Sequence, residues 1–413
     1  MKDRLAEAVG QVVRNDLCTG CGACAAMFER VEMRDVDGFL RPVIAGPAAA
    51  DGSGREAAAF QRVCPGLGID LGPAETDSRE HDVFGRHVSV WRGWAADPSI
   101  RRRGSSGGVL SALAGWIAKK DPGSHVTAVR EDASAPLLST VARLTSTDDP
   151  SSIAGSRYAP VAALERLDVA DPPAAVVGKP CEVAALTAMQ REGALPDAPL
   201  RLTFFCAGTS RWAATLKALA EVDVERDETV GLRYRGDGWP GRFTATTRSG
   251  EARSLDYDRA WGKILGRDLQ TRCKLCIDGT GELGDISVGD YWKTDERGYP
   301  VFTEGDGDSV VIARTARGHE MLQRARAAGV LVLEPLELES VVAVQPLQVE
   351  RRSTIGARLL GRRLAGFRPP RYRGWRLSLV HRVGWRRLIR TALGTAARSL
   401  GLRRKEGVSR PIV

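Results

Sequence analysis

Short apolar runs and helical patterns follow one another along most of the chain. The runs AAVV and RLTFF each end just before a cysteine, Cys181 or Cys206, and both have the length and composition of a buried strand. Apolar residues at i, i+3 and i+4 spacing predict a helix that starts at Val109, directly after a Ser-Ser-Gly-Gly turn. A further short strand is predicted at Ile286–Val288.

Length and composition limit the class of protein to which this chain can belong. The chain has 413 residues, of which 43% are hydrophobic and 27% charged, as in globular proteins of two or three domains. No apolar run reaches about 18 residues, so we expect no transmembrane helix. The N-terminus carries Asp3 and Glu7 and has no apolar core, so we expect no signal peptide and a reducing cytoplasm. Clustered cysteines there favour metal or redox centres over disulfides.

The positive charge is concentrated at the C-terminus. From Arg351 onwards there are 18 Lys and Arg residues and one acid, Glu406. The preceding residues hold 42 basic and 50 acidic side chains, so nucleic acid is not an expected partner. A helical pattern from Trp385 to Leu400 separates apolar from arginine residues, as in helices that lie on anionic membranes. A solubilising or partner-binding tail is the alternative.

Three cysteines near the N-terminus, Cys18, Cys21 and Cys24, form a C-x2-C-x2-C run. This spacing lets a tight loop direct several thiolates at one iron–sulfur cube, and the intervening glycines let the backbone wrap closely. Ferredoxin-type clusters need four thiolates, and the fourth is typically followed by proline. Cys64 in VCPG fits that role. A structural zinc site is the alternative, but the continuous run favours iron–sulfur.

The four remaining cysteines are Cys181, Cys206, Cys273 and Cys276. In an α/β sheet, ligands gather beyond the carboxyl ends of the strands, so two strand-end thiols and a C-x2-C loop could form a second four-thiolate site. Inert core thiols are the alternative for the two lone cysteines, and spacing alone does not choose between them.

The turn before the Val109 helix is a candidate phosphate site. It consists of Ser105, Ser106, Gly107 and Gly108. The first N–H groups of a helix bind phosphate, and a dinucleotide pyrophosphate is the functional interpretation, while simple helix capping is the alternative. A Rossmann fingerprint, a P-loop, a nucleophile elbow and His-based zinc motifs do not occur in the sequence.

Taken in order, the motifs CTGCGAC, SSGG, GSRY, GKPC, FFC, GWPG, CKLC and DISVGDYW resemble those of the coenzyme F420 hydrogenase/dehydrogenase β-subunit family. The similarity extends from Cys18 to Trp292. It implies a mixed α/β (α+β) fold in which a central flavin-binding α/β domain follows a small ferredoxin-like iron–sulfur segment. The implied divisions are 1–80 for that segment, 81–165 and 166–345 for the two family parts, and 346–413 for the arginine-rich tail.

The resemblance also implies cofactors and ligands. The Ser105–Gly108 turn would hold the FAD pyrophosphate, together with Ser156, Arg157 and Tyr158, where arginine replaces the family's lysine. Cys181, Cys206, Cys273 and Cys276 would bind a second [4Fe-4S] cluster beside the one on Cys18, Cys21, Cys24 and Cys64. No catalytic acid or base is indicated.

These inferences predict a flavin-dependent oxidoreductase that relays electrons between a one-electron carrier, such as ferredoxin, and a two-electron acceptor. One alternative is an electron-transfer subunit that oxidises or reduces coenzyme F420 for a partner enzyme subunit. An alternative of another class is a zinc-stabilised binding module with a basic tail. The expected location is the cytoplasm, with peripheral membrane contact through the tail as a further hypothesis.

Overall fold

The computed structural model describes residues 3–46, 53–120, 123–195, 197–292, 301, 304–377 and 379–401. The first helix shows how the sequence specifies local structure here. Asp3 caps it by accepting the N–H of Ala6 at 3.0 Å, and Leu5, Val9 and Val12 form its buried stripe. The N-terminal segment contains α1 (Arg4–Arg14), α2 (Ala23–Met27), β1 (Val31–Val36), β2 (Phe39–Ile44), α3 (Ser53–Val63), β3 (Gly68–Asp70), β4 (Arg79–His81) and β5 (Gly85–His87).

The central part is built on one large mixed sheet. Its elements are β6 (Ser89–Ala95), α4 (Pro98–Arg103), α5 (Val109–Lys120), β7 (Val126–Glu131), β8 (Ser139–Leu144), β9 (Ala175–Gly178), α6 (Pro180–Arg191), β10 (Leu200–Phe204), α7 (Trp212–Ala220), β11 (Thr229–Arg233), β12 (Phe243–Thr247), β13 (Ala252–Leu255), α8 (Thr271–Lys274), β14 (Ile286–Asp290), β15 (Ser309–Ala313), α9 (Ala316–Ala327) and β16 (Leu331–Pro335). The eight strands of the sheet lie in the order β16-β6-β15-β14-β10-β9-β7-β8.

The middle of the sheet is parallel and its edges are antiparallel. β7, β9, β10 and β14 run parallel to one another, whereas β8 on one side and β15, β6 and β16 on the other are antiparallel to their neighbours. This confirms the predicted mixed α/β fold and the strands predicted before Cys181 and Cys206. The division predicted at residue 165 stays a prediction, and strands from both sides of it share this sheet.

Helix α5 packs into the main core, as its apolar pattern predicts. Leu113 of α5 is fully buried with Leu202, Ile286 and Val311 of the sheet. A separate three-stranded sheet, β11-β12-β13, carries its own apolar cluster around Phe243. The helix thus starts at the Ser-Ser-Gly-Gly turn and is anchored by the sheet.

The C-terminal part begins with a helix that is not a free tail. Its elements are α10 (Leu338–Val344), α11 (Pro346–Leu364), β17 (Arg371–Arg373), α12 (Val380–Val383) and α13 (Trp385–Ser399). Arg351, Arg352 and Ile355 of α11 are buried against the rest of the protein, and α13 packs on α11. None of the described helices is both long and apolar enough to cross a membrane.

A buried ion network closes the amino end of β14. The carboxylate of Asp285 accepts hydrogen bonds from Arg201 Nη2 at 3.0 Å, Arg317 Nη2 at 2.6 Å and Thr315 Oγ1 at 2.9 Å. Burial acts to raise the pKa of Asp285, but the hydrogen bond and charge of Arg201, reinforced by Arg317, hold that pKa below its usual value. Asp285 therefore serves the fold.

We expect Asp285→Asn to lower the free energy of unfolding at pH 7 by about 3–5 kcal/mol, because it leaves two partly buried guanidinium groups without their carboxylate. The difference should shrink as the pH falls below about 4, since a depressed native pKa stabilises only while the carboxylate is ionised. Urea unfolding at several pH values measures it. Glu320→Gln, in an exposed pair with Arg324, is the control and should change stability by less than about 0.5 kcal/mol. If Asp285→Asn and Glu320→Gln had the same free energy of unfolding, Asp285 would not have this structural role.

Candidate functional site

The structure brings the first four cysteines together. Cys18 and Cys21 lie in the loop between α1 and α2, Cys24 lies in α2, and Cys64 directly follows α3. All four line one narrow cavity whose other walls are mainly apolar: Val12, Ala23, Met27, Phe28, Met33, Pro42, Phe60, Val63 and Pro65. We call these cysteines the first thiol set.

Glycine is required in this loop. Gly22 has a φ of 87°, and a Cβ built there would lie 2.5 Å from the backbone nitrogen of Glu165. Only a residue without a side chain allows the loop to approach that segment so closely. The neighbouring Leu164 N–H donates to the Cys21 carbonyl at 3.1 Å. The cysteine loop is thus attached to the central part of the chain.

Burial favours the neutral thiol at Cys21, Cys24 and Cys64. Desolvation raises the pKa of Cys21 to about 11 and that of Cys64 to about 12, and it raises the pKa of Cys24 well above its usual value. Neighbouring thiols of the set raise these values further, because adjacent thiolates repel one another. A bound positive centre would offset this cost, since metal ligation requires thiolates.

The second four cysteines also converge. Cys181 lies near the start of α6, just beyond β9, and Cys206 lies just beyond β10, the parallel neighbour of β9. Cys273 and Cys276 lie in and after α8. Burial raises the pKa of Cys206 to about 12, with Cys273 and Cys276 adding to the rise. We call these cysteines the second thiol set.

Polar groups orient the second thiol set. The Cys273 sulfur accepts the N–H of Thr209 at 3.4 Å and the side-chain amide of Gln270 at 3.3 Å. The Cys276 thiol donates to the carbonyl of Asp278 at 3.3 Å. Hydrogen bonds to sulfur are one means by which a protein tunes a cluster.

Three buried cations face the second thiol set. Lys179 pairs with Glu182 at 2.5 Å, and Arg351 of α11 donates to the carbonyls of Cys206 and Ala207 at 2.8 and 2.6 Å. The third is Arg272 in α8, whose charge acts on both Cys181 and Cys273. The positive charge of these side chains favours thiolates at this site.

Two of the polar side chains connect the thiol sets. Arg272 donates to the carbonyl of Pro65, next to Cys64, at 2.6 Å. Gln270 donates to the carbonyl of Thr19, next to Cys18, at 3.0 Å. Cys21 also raises the pKa of Cys181, although burial and Glu182 contribute more. The two sets therefore adjoin each other across one buried polar layer.

The two thiol sets supply the kind and number of donor atoms that cubane clusters take. Within the described ranges, no group of three or more His, Cys, Asp and Glu side chains is arranged to hold one metal ion. A cubane takes each thiolate on a different iron, so its ligands surround a larger centre. Eight free thiols in two adjoining sets of four match that donor chemistry.

The Ser105–Gly108 turn is held by contacts from two distant segments. Ser105 Oγ accepts the N–H of Ser156 at 2.5 Å and its hydroxyl at 2.9 Å, so two motifs 51 residues apart meet here. Gly107 N–H donates to Ser309 Oγ at 2.9 Å and is therefore not a free phosphate donor. A Cβ on Gly107 would lie 2.6 Å from the carbonyl oxygen of Gly93.

Arg157 and Tyr158 make internal contacts. Arg157 donates to the carbonyls of Leu232, Pro136 and Leu138 at 2.6–2.9 Å, and its side chain is only 10% exposed. Tyr158 packs against Trp261, with ring centroids 4.6 Å apart. Arg157 thus connects β11 to the segment that meets the Ser105–Gly108 turn, and the roles of Arg157 and Tyr158 toward FAD stay a prediction.

A buried arginine beside the turn was not identified as a site residue from sequence. Arg235 forms a bidentate pair with Asp290 at 2.8 and 2.9 Å and lies over the rings of Tyr257 and Trp292. In the same loop, Gly238 N–H donates to the Arg102 carbonyl at 2.8 Å. Arg235 lies just before the GWPG motif and Asp290 lies within DISVGDYW, so the order of the family motifs could have indicated these residues. Their spacing in the sequence does not predict that they pair.

Two family models match the chain. The model for the N-term of the coenzyme F420 hydrogenase/dehydrogenase beta subunit matches residues 90–168, and the model for its C terminus matches residues 173–339. The chain belongs to this family. The flavin-turn candidates fall in the first model and the second thiol set in the second, whereas the first thiol set and α11–α13 lie outside both.

Individual relatives agree with this family assignment. The coenzyme F420 hydrogenase subunit beta of Methanococcus voltae is 25% identical over 305 residues, which are 70% of this chain and 99% of that protein. The coenzyme F420-dependent sulfite reductase of Methanocaldococcus jannaschii is 22% identical over 83% of this chain, which spans about 50% of that protein's length. A chain of the F420-reducing [NiFe] hydrogenase complex from Methanosarcina barkeri shares the fold, with a TM-score of 0.50 and 20% identity over 66% of this chain and 91% of that chain. The predicted family and its oxidoreductase class are confirmed.

Proposed function

We propose that the chain is a flavin-dependent iron–sulfur oxidoreductase that relays electrons between a one-electron carrier and a two-electron acceptor. The observation that carries this proposal is that all eight cysteines form two adjoining sets of four with none left over. When bound, two [4Fe-4S] clusters and FAD would supply single-electron transfer and its conversion to two-electron chemistry.

The protein's own residues would position and isolate these groups. Arg272 and Gln270 hold the two cysteine loops against each other, and Lys179 and Arg351 offset thiolate charge at the second set. Apolar walls exclude water from the first set. The hydrogen bonds from Ser156 to Ser105 hold the Ser105–Gly108 turn, which would receive the FAD pyrophosphate.

An electron-transfer subunit that uses coenzyme F420 with a partner enzyme subunit is the second candidate. It is supported by the hydrogenase subunit of M. voltae, because this chain spans 99% of that protein. The experiment is anaerobic mixing of the loaded chain with reduced methyl viologen and, separately, with reduced coenzyme F420. Bleaching of the flavin by viologen supports the relay, and bleaching by reduced F420 supports the second candidate. Flavin that neither donor bleaches would contradict both.

A cytoplasmic location with peripheral membrane contact is part of the proposal. The apolar residues Trp385, Ile389 and Leu393 of α13 are 51–63% exposed, while Ala392 and Thr395 face inwards. Arginines flank the exposed stripe, as in helices that lie on anionic bilayers. The stripe therefore fits an anionic lipid surface.

Replacing Trp385, Ile389 and Leu393 together by serine should weaken binding to anionic vesicles by at least about tenfold, because the apolar contact area is lost. Cosedimentation at physiological salt measures this. Serine at Val36, Val230 and Val332, which are 38–50% exposed on strands, is the control and should leave binding unchanged. Equal pelleting of wild type and both variants would show that the stripe does not contact membranes.

A further inference from the structure

A large cavity lies beside the first thiol set. Its volume is about 560 Å³, and it opens between α1, α3, α6 and the segment around β17. Its charged lining consists of five arginines and two acids: Arg62, Arg191, Arg368, Arg371, Arg373, Asp70 and Glu192. We call it the arginine cavity.

Three of the arginines are available to a partner. Arg62 pairs with Glu192 at 2.5 Å, and Arg191 donates to the carbonyls of Asp70 and Leu71. The other three, Arg368, Arg371 and Arg373, are exposed, and their guanidinium groups make no hydrogen bond or ion pair with another described residue. We call these three the rim arginines.

The strand that carries two rim arginines is fixed in place. β17 pairs in parallel with β3, and side chains alternate along it, so Arg371 and Arg373 point one way and Tyr372 the other. The Tyr372 hydroxyl donates to the carbonyl of Leu275, between the two cysteines of the CKLC loop. These contacts place Arg371 and Arg373 relative to the CKLC loop of the second thiol set.

Very little protein separates the arginine cavity from the first thiol set. Leu17 and Val63, which precede Cys18 and Cys64, line the cavity. Val63 also lines the narrow cavity that contains the four thiols. Electron transfer slows steeply with distance, so a carrier docked at the arginine cavity would lie close to this set.

We propose that the arginine cavity is the docking site of an acidic one-electron carrier protein of the ferredoxin type. This rests on the proposed function, because the carrier needs a redox centre at the first thiol set. Rim charges of one sign select a partner of the opposite sign and accelerate its association. Each encounter moves one electron, so the carrier is oxidised by one electron as the chain is reduced by one, and no bond or proton is transferred.

The test uses full-length loaded protein and a small acidic [4Fe-4S] ferredoxin as the probe. Replacing the three rim arginines by glutamate (Arg368→Glu, Arg371→Glu and Arg373→Glu) should slow association with the ferredoxin by at least about tenfold. It should also weaken the salt dependence of the association rate. Glutamate at Arg130, Arg143 and Arg248, which are exposed and do not line the cavity, makes the same charge change and is the control. Stopped-flow reduction by the ferredoxin and surface plasmon resonance measure both variants.

The results for the two variants distinguish a failure of the docking proposal from a failure of the proposed function. Unchanged iron and flavin contents with selective loss of ferredoxin binding in the rim variant would support the docking site. Equal association of both variants, or no binding of ferredoxin to the loaded wild type, would overturn it. A wild-type chain without iron or flavin would instead overturn the proposed function.

Discussion

Serine at Cys206 is expected to remove about half of the iron from the protein. The wild type should contain about eight iron and eight sulfide ions per chain, and Cys206→Ser about four of each, because one cubane loses a ligand from a buried site. Cys24→Ser should also leave about four, but on the second thiol set. Anaerobic iron and acid-labile sulfide assays measure these numbers.

A matched control is available at Thr209, whose backbone N–H contacts Cys273 and whose side chain is buried. Thr209→Ser should retain about eight iron ions per chain. If Cys206→Ser still contains about eight iron ions per chain, the second thiol set does not bind a cluster. Zinc at one or two ions per chain, with no iron, would favour the zinc-stabilised binding module.

Valine at Gly107 is expected to expel the flavin. A Cβ there would lie 2.6 Å from the carbonyl of Gly93 and 3.0 Å from Ser309 Oγ, so the turn must move away from β6 and β15. Flavin content should fall from about one per chain to below about a tenth. Iron should stay near eight, because the hydrogen bonds of the cysteine sulfurs among the described residues do not involve the Ser105–Gly108 turn. Absorption spectra of the released cofactor and iron assays measure both.

Gly305→Val is the control for this substitution, since no atom lies within 4 Å of a Cβ built at Gly305. It should keep the flavin. Ser105→Ala should weaken flavin binding by about tenfold, because it removes the acceptor that holds Ser156. Full flavin occupancy in Gly107→Val would show that the turn serves only as a helix start.

The sequence predicted best those features that depend on residues close together in the chain. The C-x2-C-x2-C run and the Cys64-Pro65 pair predicted the first thiol set. For Cys181 and Cys206, strand-end positions only permitted a shared site, and it was the family resemblance that implied their grouping with Cys273 and Cys276. The α/β fold followed from the same motif order, and the structure confirms it.

Contacts between distant segments could not be predicted. The arginines of α11 looked like part of a solvated basic tail, yet Arg351 is buried and donates to the carbonyl of Cys206. A guanidinium that satisfies backbone carbonyls leaves no charge pattern in the sequence. The same holds for Arg157, whose donors are used inside the protein rather than at the turn.

The central claim is that two clusters and one flavin operate in the same chain. An anaerobic reductive titration, followed by visible absorption and electron paramagnetic resonance, tests it most directly. The account predicts about four electrons per chain, one for each cluster and two for the flavin. Uptake of two electrons or fewer, with no paramagnetic signal from reduced clusters, would contradict it.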